Sequence, residues 1–118
     1  MTYVDGFVIP VPKAKLAAYK KMAVWGRKIW MKHGALQYFE CVGDDLKTMP
    51  QCGDFKTMAK LKGREAVFFS FIVYKNKKHR DAVNKKVMAE MQKQAMTQEM
   101  PFDVKRMAYG GFRTLVQG

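Results

Sequence analysis

Residues 66–74, Ala-Val-Phe-Phe-Ser-Phe-Ile-Val-Tyr, are the longest uncharged apolar run in the chain and are apolar at both alternations of a β-strand. A strand with one wet face alternates apolar and polar residues, so this one is covered on both sides. Nine residues also fall far short of the roughly 20 that cross a bilayer as a helix. No membrane insertion is expected, and the fold must bury both faces of a sheet around this strand.

The surrounding periodicities say how. Tyr3-Val4-Asp5-Gly6-Phe7-Val8-Ile9 has period two, and Pro10 and Pro12 are expected to end that strand. The period then changes to 3.6. Leu16, Tyr19, Met22, Ala23, Gly26, Ile29 and Trp30 fall on one side of a helix over 13–32, with Lys20, Lys21, Arg27, Lys28 and Lys32 on the other and Gly34 as its C-terminal stop. Residues 35–43 read as a second strand, closed by Gly43-Asp44-Asp45. Between 47 and 62 only Phe55, Met58 and Ala59 suggest a helical turn. A second long helix covers 77–94 with Val83, Val87, Met88 and Met91 as its buried stripe, and Arg80 and Asn84 fall on or beside that stripe. After Pro101, residues 105–112 give a last strand whose Gly110-Gly111 pair suggests a bulge or a close backbone approach.

This order, β-α-β-β-α-β, predicts an α+β, ferredoxin-like fold with a four-stranded antiparallel sheet and the helices on one face. At 118 residues and 48% hydrophobic content, the chain has room for one domain, residues 1–118, and enough apolar side chains to give it a core. The face without helices needs a cover, and a second copy of the same sheet supplies one. A two-fold symmetric homodimer is expected.

Charge divides the molecule in the same way. The formal net charge is +12. Residues 13–32 carry seven bases and no acid, residues 75–93 carry seven bases against Asp81 and Glu90, and the other eight bases and eight acids cancel. The sheet is therefore electrically balanced and the helix exteriors are basic. Nucleic acid is the competing partner for such a surface. It is not favoured, because lysine far outnumbers arginine, the residue suited to bidentate phosphate recognition; a solvated, solubilising face is the simpler reading. Asp5 interrupts the N-terminal apolar stretch and no basic leader precedes it, which argues against a signal peptide. Cys41 and Cys52 form no Cys-x-x-Cys pair and read as reduced thiols. A cytoplasmic protein is expected.

For chemistry, the polar residues embedded in strands matter most. Asp5 shares parity with Tyr3, Phe7 and Ile9; Ser70 with Phe68, Ile72 and Tyr74; Tyr38 with Glu40; and Tyr109 lies on the last strand. If these sets line the face without helices, dimerisation buries them. Gly6, on the opposite parity of the first strand, would then let a helix approach the sheet. A buried carboxylate must find hydrogen bonds or shift its pKa, as acid–base sites require. Asp5 and Glu40 are thus the candidate catalytic groups, against a structural pairing of Asp5 with Arg106 or Lys105 and a solvated edge position for Glu40. Candidate ligand-binding residues are Tyr38, Ser70, Tyr74, Asp103, Arg106 and Tyr109, with Asp103, Lys105 and Arg106 forming either an anion site or a local salt bridge. For Arg80 and Asn84 the simpler reading is a snorkelling arginine and an asparagine bonded to backbone. His33 and His79 have no partner at metal-ligand spacing, no nucleophile sits beside a histidine, and Gly110-Gly111 is no phosphate loop. No metal and no cofactor are expected.

Several segments together resemble a known family: Tyr3-Val4-Asp5-Gly6-Phe7-Val8, Ala18-Tyr19-Lys20-Lys21-Met22-Ala23, His33-Gly34-Ala35-Leu36, Glu40-Cys41-Val42-Gly43-Asp44-Asp45, and above all Met100-Pro101-Phe102-Asp103-Val104-Lys105-Arg106-Met107-Ala108-Tyr109-Gly110-Gly111-Phe112. These are similar to the YbaA-like proteins, nearly end to end. Relative to that pattern, Val42 and Phe71 stand where a tryptophan is usual, and the helices are richer in lysine. The resemblance implies a protein of unknown function with a dimeric α/β-barrel architecture and transfers no catalytic residues. Residues and resemblance together predict a homodimer that holds a small apolar or aromatic metabolite between facing sheets, with turnover by Asp5 or Glu40 if it is an enzyme.

Overall fold

The computed structural model describes residues 1–94 and 100–118. Its elements are β1 (Tyr3–Pro12), α1 (Leu16–Lys32), β2 (Gln37–Val42), a one-turn α2 (Phe55–Met58), β3 (Glu65–Tyr74), α3 (Lys77–Lys93) and β4 (Ala108–Arg113), with 3-10 turns at Lys13–Lys15 and Val104–Arg106. The protein is α+β. Its four strands form one antiparallel sheet in the order β2-β3-β1-β4. The doubly apolar strand, β3, is central.

Local chemistry explains the boundaries. The α1 helix ends in a Schellman arrangement: Gly34 takes a φ of 109°, its N–H reaches the Met31 carbonyl, and the Ala35 N–H reaches that of Trp30. Asn76 starts α3 by accepting the His79 N–H at 2.8 Å, and Asp54 starts α2 by accepting that of Thr57 at 2.6 Å. Pro10 and Pro12 do not end β1, contrary to the sequence expectation. They pair with Val67 and Glu65 of β3, whereas β4 pairs with β1 only as far as Val8. Past Val8 one side of β1 is an edge, where a missing N–H costs no ladder bond. Gly110 and Gly111 make no bulge either, since the β1–β4 register runs unbroken from Tyr3↔Arg113 to Val8↔Ala108. They serve close approach: a Cβ on Gly111 would run into the Tyr3 ring.

Both long helices lie on the face that carries Asp5, Phe7, Ile9, Tyr38, Glu40, Ser70, Ile72 and Tyr74. Ile29, Ala35, Ile72, Tyr74, Val83 and Val87 form one buried cluster there, and Ile9, Val11, Tyr19, Ala23 and Phe102 form a second. The sequence reading put these polar strand residues on the other face, so their sidedness is corrected. Gly6 was the misleading signal. It lies under the Phe112 ring, 3.4 Å from where a Cβ would sit, and among the described residues no helix approaches it. The helix that needs a glycine carries it itself: a Cβ on Gly26 of α1 would lie 3.0 Å from the Tyr38 hydroxyl.

The opposite face of the sheet is apolar and open. Phe39, Phe69 and Phe112 are 43%, 48% and 62% exposed, Phe39 stacks on Phe71 at 4.8 Å, and Phe55 of α2 meets Phe69 edge-on. Cys41 and Cys52 are both free thiols. Among the described residues no helix is long and apolar enough to cross a membrane.

Candidate functional site

Between the helix layer and the sheet lies a chamber of about 740 Å³. Its floor is the sheet, through Asp5, Phe7, Ile9, Tyr38, Glu40, Ser70 and Ile72, and its roof is α1 and α3, through Tyr19, Met22, Trp25, Trp30, Asn84 and Met91. The exposed residues Met88, Met100, Val104 and Tyr109 form the rim. Five of the chain's ten methionines, Met22, Met88, Met91, Met100 and Met107, line it. Unbranched thioethers repack around differently shaped guests, so this lining is adaptable as well as apolar.

Two carboxylates interrupt the apolar lining, and their surroundings differ. Glu40 is nearly saturated. Its Oε1 accepts the Tyr19 hydroxyl at 2.7 Å and the Ser70 hydroxyl at 2.5 Å, and its Oε2 accepts the Tyr38 hydroxyl at 2.9 Å. Burial first, then the neighbouring Glu40 charge, push the Tyr19 and Tyr38 phenols well above their ordinary pKa, so both remain O–H donors at physiological pH. β2 is an edge strand, yet Glu40 is not solvated as an edge residue would be.

Asp5 is 1% exposed and far less well served. Its Oδ2 accepts the Asn84 Nδ2 at 3.3 Å; its Oδ1 has no hydrogen-bond partner among the described residues and lies 3.8 Å from the Arg80 Nε. That Nε–H is unaccepted too, although Asp81 stands 3.3 Å away at ion-pair distance. The rest of the Arg80 guanidinium is fixed: Nη1 donates to the Tyr109 hydroxyl, Nη2 to the Tyr3 hydroxyl, and the group lies over the Tyr3 ring. Asn84 is the hub beside it, its Oδ1 accepting from Trp30 Nε1 at 3.0 Å and from the Tyr74 hydroxyl at 3.2 Å. Burial and the Asp5 charge raise the Tyr74 phenol, and likewise that of Tyr109. Asp5 faces Ile72 and Ile72 faces Tyr38, two residues from Glu40. By strand geometry the two carboxylates are roughly 12 Å apart at Cα, too far to share one proton.

The candidates from sequence thus divide. Asp5, Glu40, Tyr38, Ser70 and Tyr109 meet at the chamber, and Tyr74 supports it through Asn84. Asp103 and Arg106 lie elsewhere. Asp103 accepts the Lys105 N–H at the start of its turn, while Arg106 grips Glu65 in a two-pronged pair at 2.5 and 2.9 Å and reaches the Lys60 carbonyl. Asp5 therefore does not pair with Arg106 or Lys105. Arg80 and Asn84 neither snorkel nor bond backbone; they are the polar partners of Asp5. Tyr19, Met22, Met88 and Met91 belong to the inward stripes of the two helices in the sequence reading, and the signal for their second role is their number there; Met100 and Met107 carry no such signal. His33 bonds Glu90 at 2.7 Å, and the His79 ring accepts the Lys75 N–H at 3.0 Å.

A helix layer over an antiparallel sheet, with an apolar chamber and two embedded carboxylates between them, defines the class. The chain belongs to the family described as a protein of unknown function, DUF1428, whose model matches residues 2–104. It is 40% identical over 116 residues to the uncharacterized protein YbaA of Escherichia coli K12, covering 98% of each chain, and matches YbaA of Escherichia coli O157:H7 and of Shigella flexneri equally well. The resemblance to the YbaA-like proteins read from the sequence holds. Among solved structures, the de novo designed protein Foldit4 aligns over 97% of this chain and 99% of its own with a TM-score of 0.45 and 11% identity.

Proposed function

We propose that this protein binds a small, largely apolar or aromatic molecule in the chamber between its helices and its sheet, and that it does so as a homodimer. The chamber itself carries the reading: about 740 Å³ lined mostly by apolar, aromatic and thioether groups, a size and lining suited to one small organic guest. On this reading the ligand lies on the helix side of the sheet instead of between two sheets. The other face is left to the second copy, whose matching phenylalanines would cover Phe39, Phe69, Phe71 and Phe112; the strand order and the helical crossovers favour a ferredoxin-like split βαβ unit joined in this way into a dimeric barrel. Glu40, its lone pairs occupied by three hydroxyls, holds the chamber wall in shape and is not a free base. Asp5, whose buried Oδ1 has no hydrogen-bond partner among the described residues, is the less satisfied of the two carboxylates in the lining.

Trp25 and Trp30 line the chamber, so their fluorescence should report an occupant. A panel of neutral aromatic and alicyclic compounds, titrated by tryptophan fluorescence and checked by thermal shift, should yield ligands that raise Tm. Replacing Met91 by Trp should push a bulky ring into the chamber and weaken that binding while far-ultraviolet circular dichroism stays unchanged. If no compound in the panel binds, or if binding survives M91W undiminished, the proposal fails.

A further inference from the structure

The acids that could neutralise the helix layer are few and already engaged. Residues 13–32 and 75–93 carry seven bases each, and their only acids are Asp81 and Glu90. Glu90 is taken by Lys32 and His33, and Asp81 stands beside Arg80, which also faces Asp5. Among the described residues none of the other twelve bases has an acid within ion-pair distance, and all twelve are exposed. Lys21 and Lys28 of α1 lie opposite its buried stripe of Tyr19, Ala23, Gly26 and Ile29, and Lys78 and Lys85 of α3 lie opposite Val83 and Val87. The exposed residues between them, Val24, Ala82 and Ala89, are small and leave the ammonium groups clear. We infer that this outward face of the helix layer docks the phosphate backbone of a nucleic-acid duplex, through charge alone and without reading its sequence.

Solubility asks for less. A net charge of about 2–8 with both signs interspersed keeps a small domain dissolved, whereas this chain carries +12 and the two helical segments carry all of it. Like charges gathered on one side repel one another, a cost that a polyanion removes. Lysine in place of arginine gives up bidentate recognition but keeps the charge, which is what sequence-independent binding to a phosphate backbone uses. The residues beside the lysines select the duplex among polyanions. A single strand is held on aromatic platforms, and a membrane surface takes Trp, Phe or Leu into its headgroup layer. Trp25 and Trp30 line the chamber, and among the described residues the outward face holds none of these types. An acidic protein partner would be gripped by aromatic and arginine anchors, and on this face Arg27 stands alone. Each helix, at 17 residues, is about 25 Å long, the rise of about seven base pairs.

The experiment is fluorescence anisotropy of a labelled DNA duplex of about 24 base pairs, titrated with the full chain at several salt concentrations. With about five phosphates neutralised, the slope of log affinity against log salt should be about −4.5, a roughly 500-fold loss between 50 and 200 mM. A duplex of unrelated sequence should bind within about threefold, since backbone contacts carry no sequence information. K21E/K28E and K78E/K85E should each weaken binding about tenfold or more at low salt. K47E/K56E removes as much charge from exposed positions between β2 and β3 and should weaken it by less than about threefold. All six positions are exposed, and thermal melts check that the variants are folded. No binding at the lowest salt overturns the inference and leaves the chamber reading untouched. Equal losses in the three double variants show net charge acting without a face and overturn it. A larger sequence preference means base readout and overturns it too. If vesicles containing phosphatidylglycerol hold the protein at a salt where the duplex has released it, the face belongs to a membrane and the inference falls.

Discussion

Replacing Glu40 by Gln tests whether the hydroxyl cluster is a structural device. The side chain keeps its shape but loses its charge, and one oxygen becomes an NH₂ that cannot accept from the hydroxyl facing it. Three bonds are affected, from Tyr19, Ser70 and Tyr38. Hydrogen bonds to charged groups contribute about 1.5–3 kcal/mol and neutral ones about 0.5–1.5, so each bond weakens by about 1 kcal/mol. Because Glu40 is half-buried, solvent replaces part of that loss, and a net cost of about 2 kcal/mol is expected from a total stability of roughly 5–15. In urea, with a slope of about 2 kcal/mol per M, the midpoint should fall by about 1 M at fixed protein concentration. The cluster should also couple: Ser70→Ala should cost about 1 kcal/mol less in the E40Q background than in the wild type. A midpoint shift below about 0.25 M, or additive costs for the two substitutions, would show that the three hydroxyls are indifferent to their acceptor and would refute the reasoning.

Other expectations are sharp enough to check. Gly111→Ala should destabilise by about 1–3 kcal/mol in chemical denaturation, because its Cβ meets a Tyr3 ring that Arg80 holds in place, whereas Gly110→Ala, whose Cβ meets Phe112 at an ordinary 3.6 Å, should change stability by less than about 0.5 kcal/mol. Glu65 and Glu90 sit below their ordinary pKa, Glu65 through its hydrogen bond to Arg106 and Glu90 through its hydrogen bonds to Lys32 and His33. At low pH the unfolded chain thus binds more protons than the folded one. Stability should be full above the ordinary carboxylate range and fall as pH drops through it and below, and Arg106→Met should flatten that slope in pH-dependent thermal melts; an unchanged slope would count against the pair. Phe69→Glu on the open sheet face should weaken dimerisation by about 2 kcal/mol or more, roughly 30-fold in Kd, measured by analytical ultracentrifugation, while a wild type that sediments as a monomer at high concentration removes the dimer altogether.

The elements of this fold are legible in the sequence because each rests on a local cause. The 3.6-residue stripe from Leu16 to Trp30 and the period-two run at Tyr3 allow little else, and Gly34 and Asn76 stand where their conformational and capping properties are used. Even the membership of the site was partly readable. Asp5, Tyr38, Glu40, Ser70 and Tyr109 were grouped by parity, and strand register does bring them to one face. Which face that is was not readable, since alternation says which residues travel together and is silent on which side the helices take. Gly6, on the other face of β1 from Asp5, looked like a helix contact, but the bulky Phe112 ring of β4 had equal claim to the space. The prolines of β1 misled for a related reason: a rule about ladder hydrogen bonds cannot be applied before the neighbours of each strand edge are known. Arg80 and Asn84 sit on a helical stripe whose inward direction could be read, but Tyr3 and Asp5, which they meet on β1, are more than 70 residues away in the chain.

Charge and chamber belong to one arrangement. The bases that give +12 sit mostly on the outward sides of α1 and α3, while the inward stripes of these helices are uncharged except for Arg80. A positive exterior draws small anions to the surface. Inside, the acidic side chains Asp5 and Glu40 line the chamber and no basic side chain among the described residues does, so an anion that arrived would find no cationic partner among the lining residues. The surface field and the proposed chamber would therefore select different molecules. On the proposed reading, the interior, with Glu40 already served by three hydroxyls, suits a guest that is neutral.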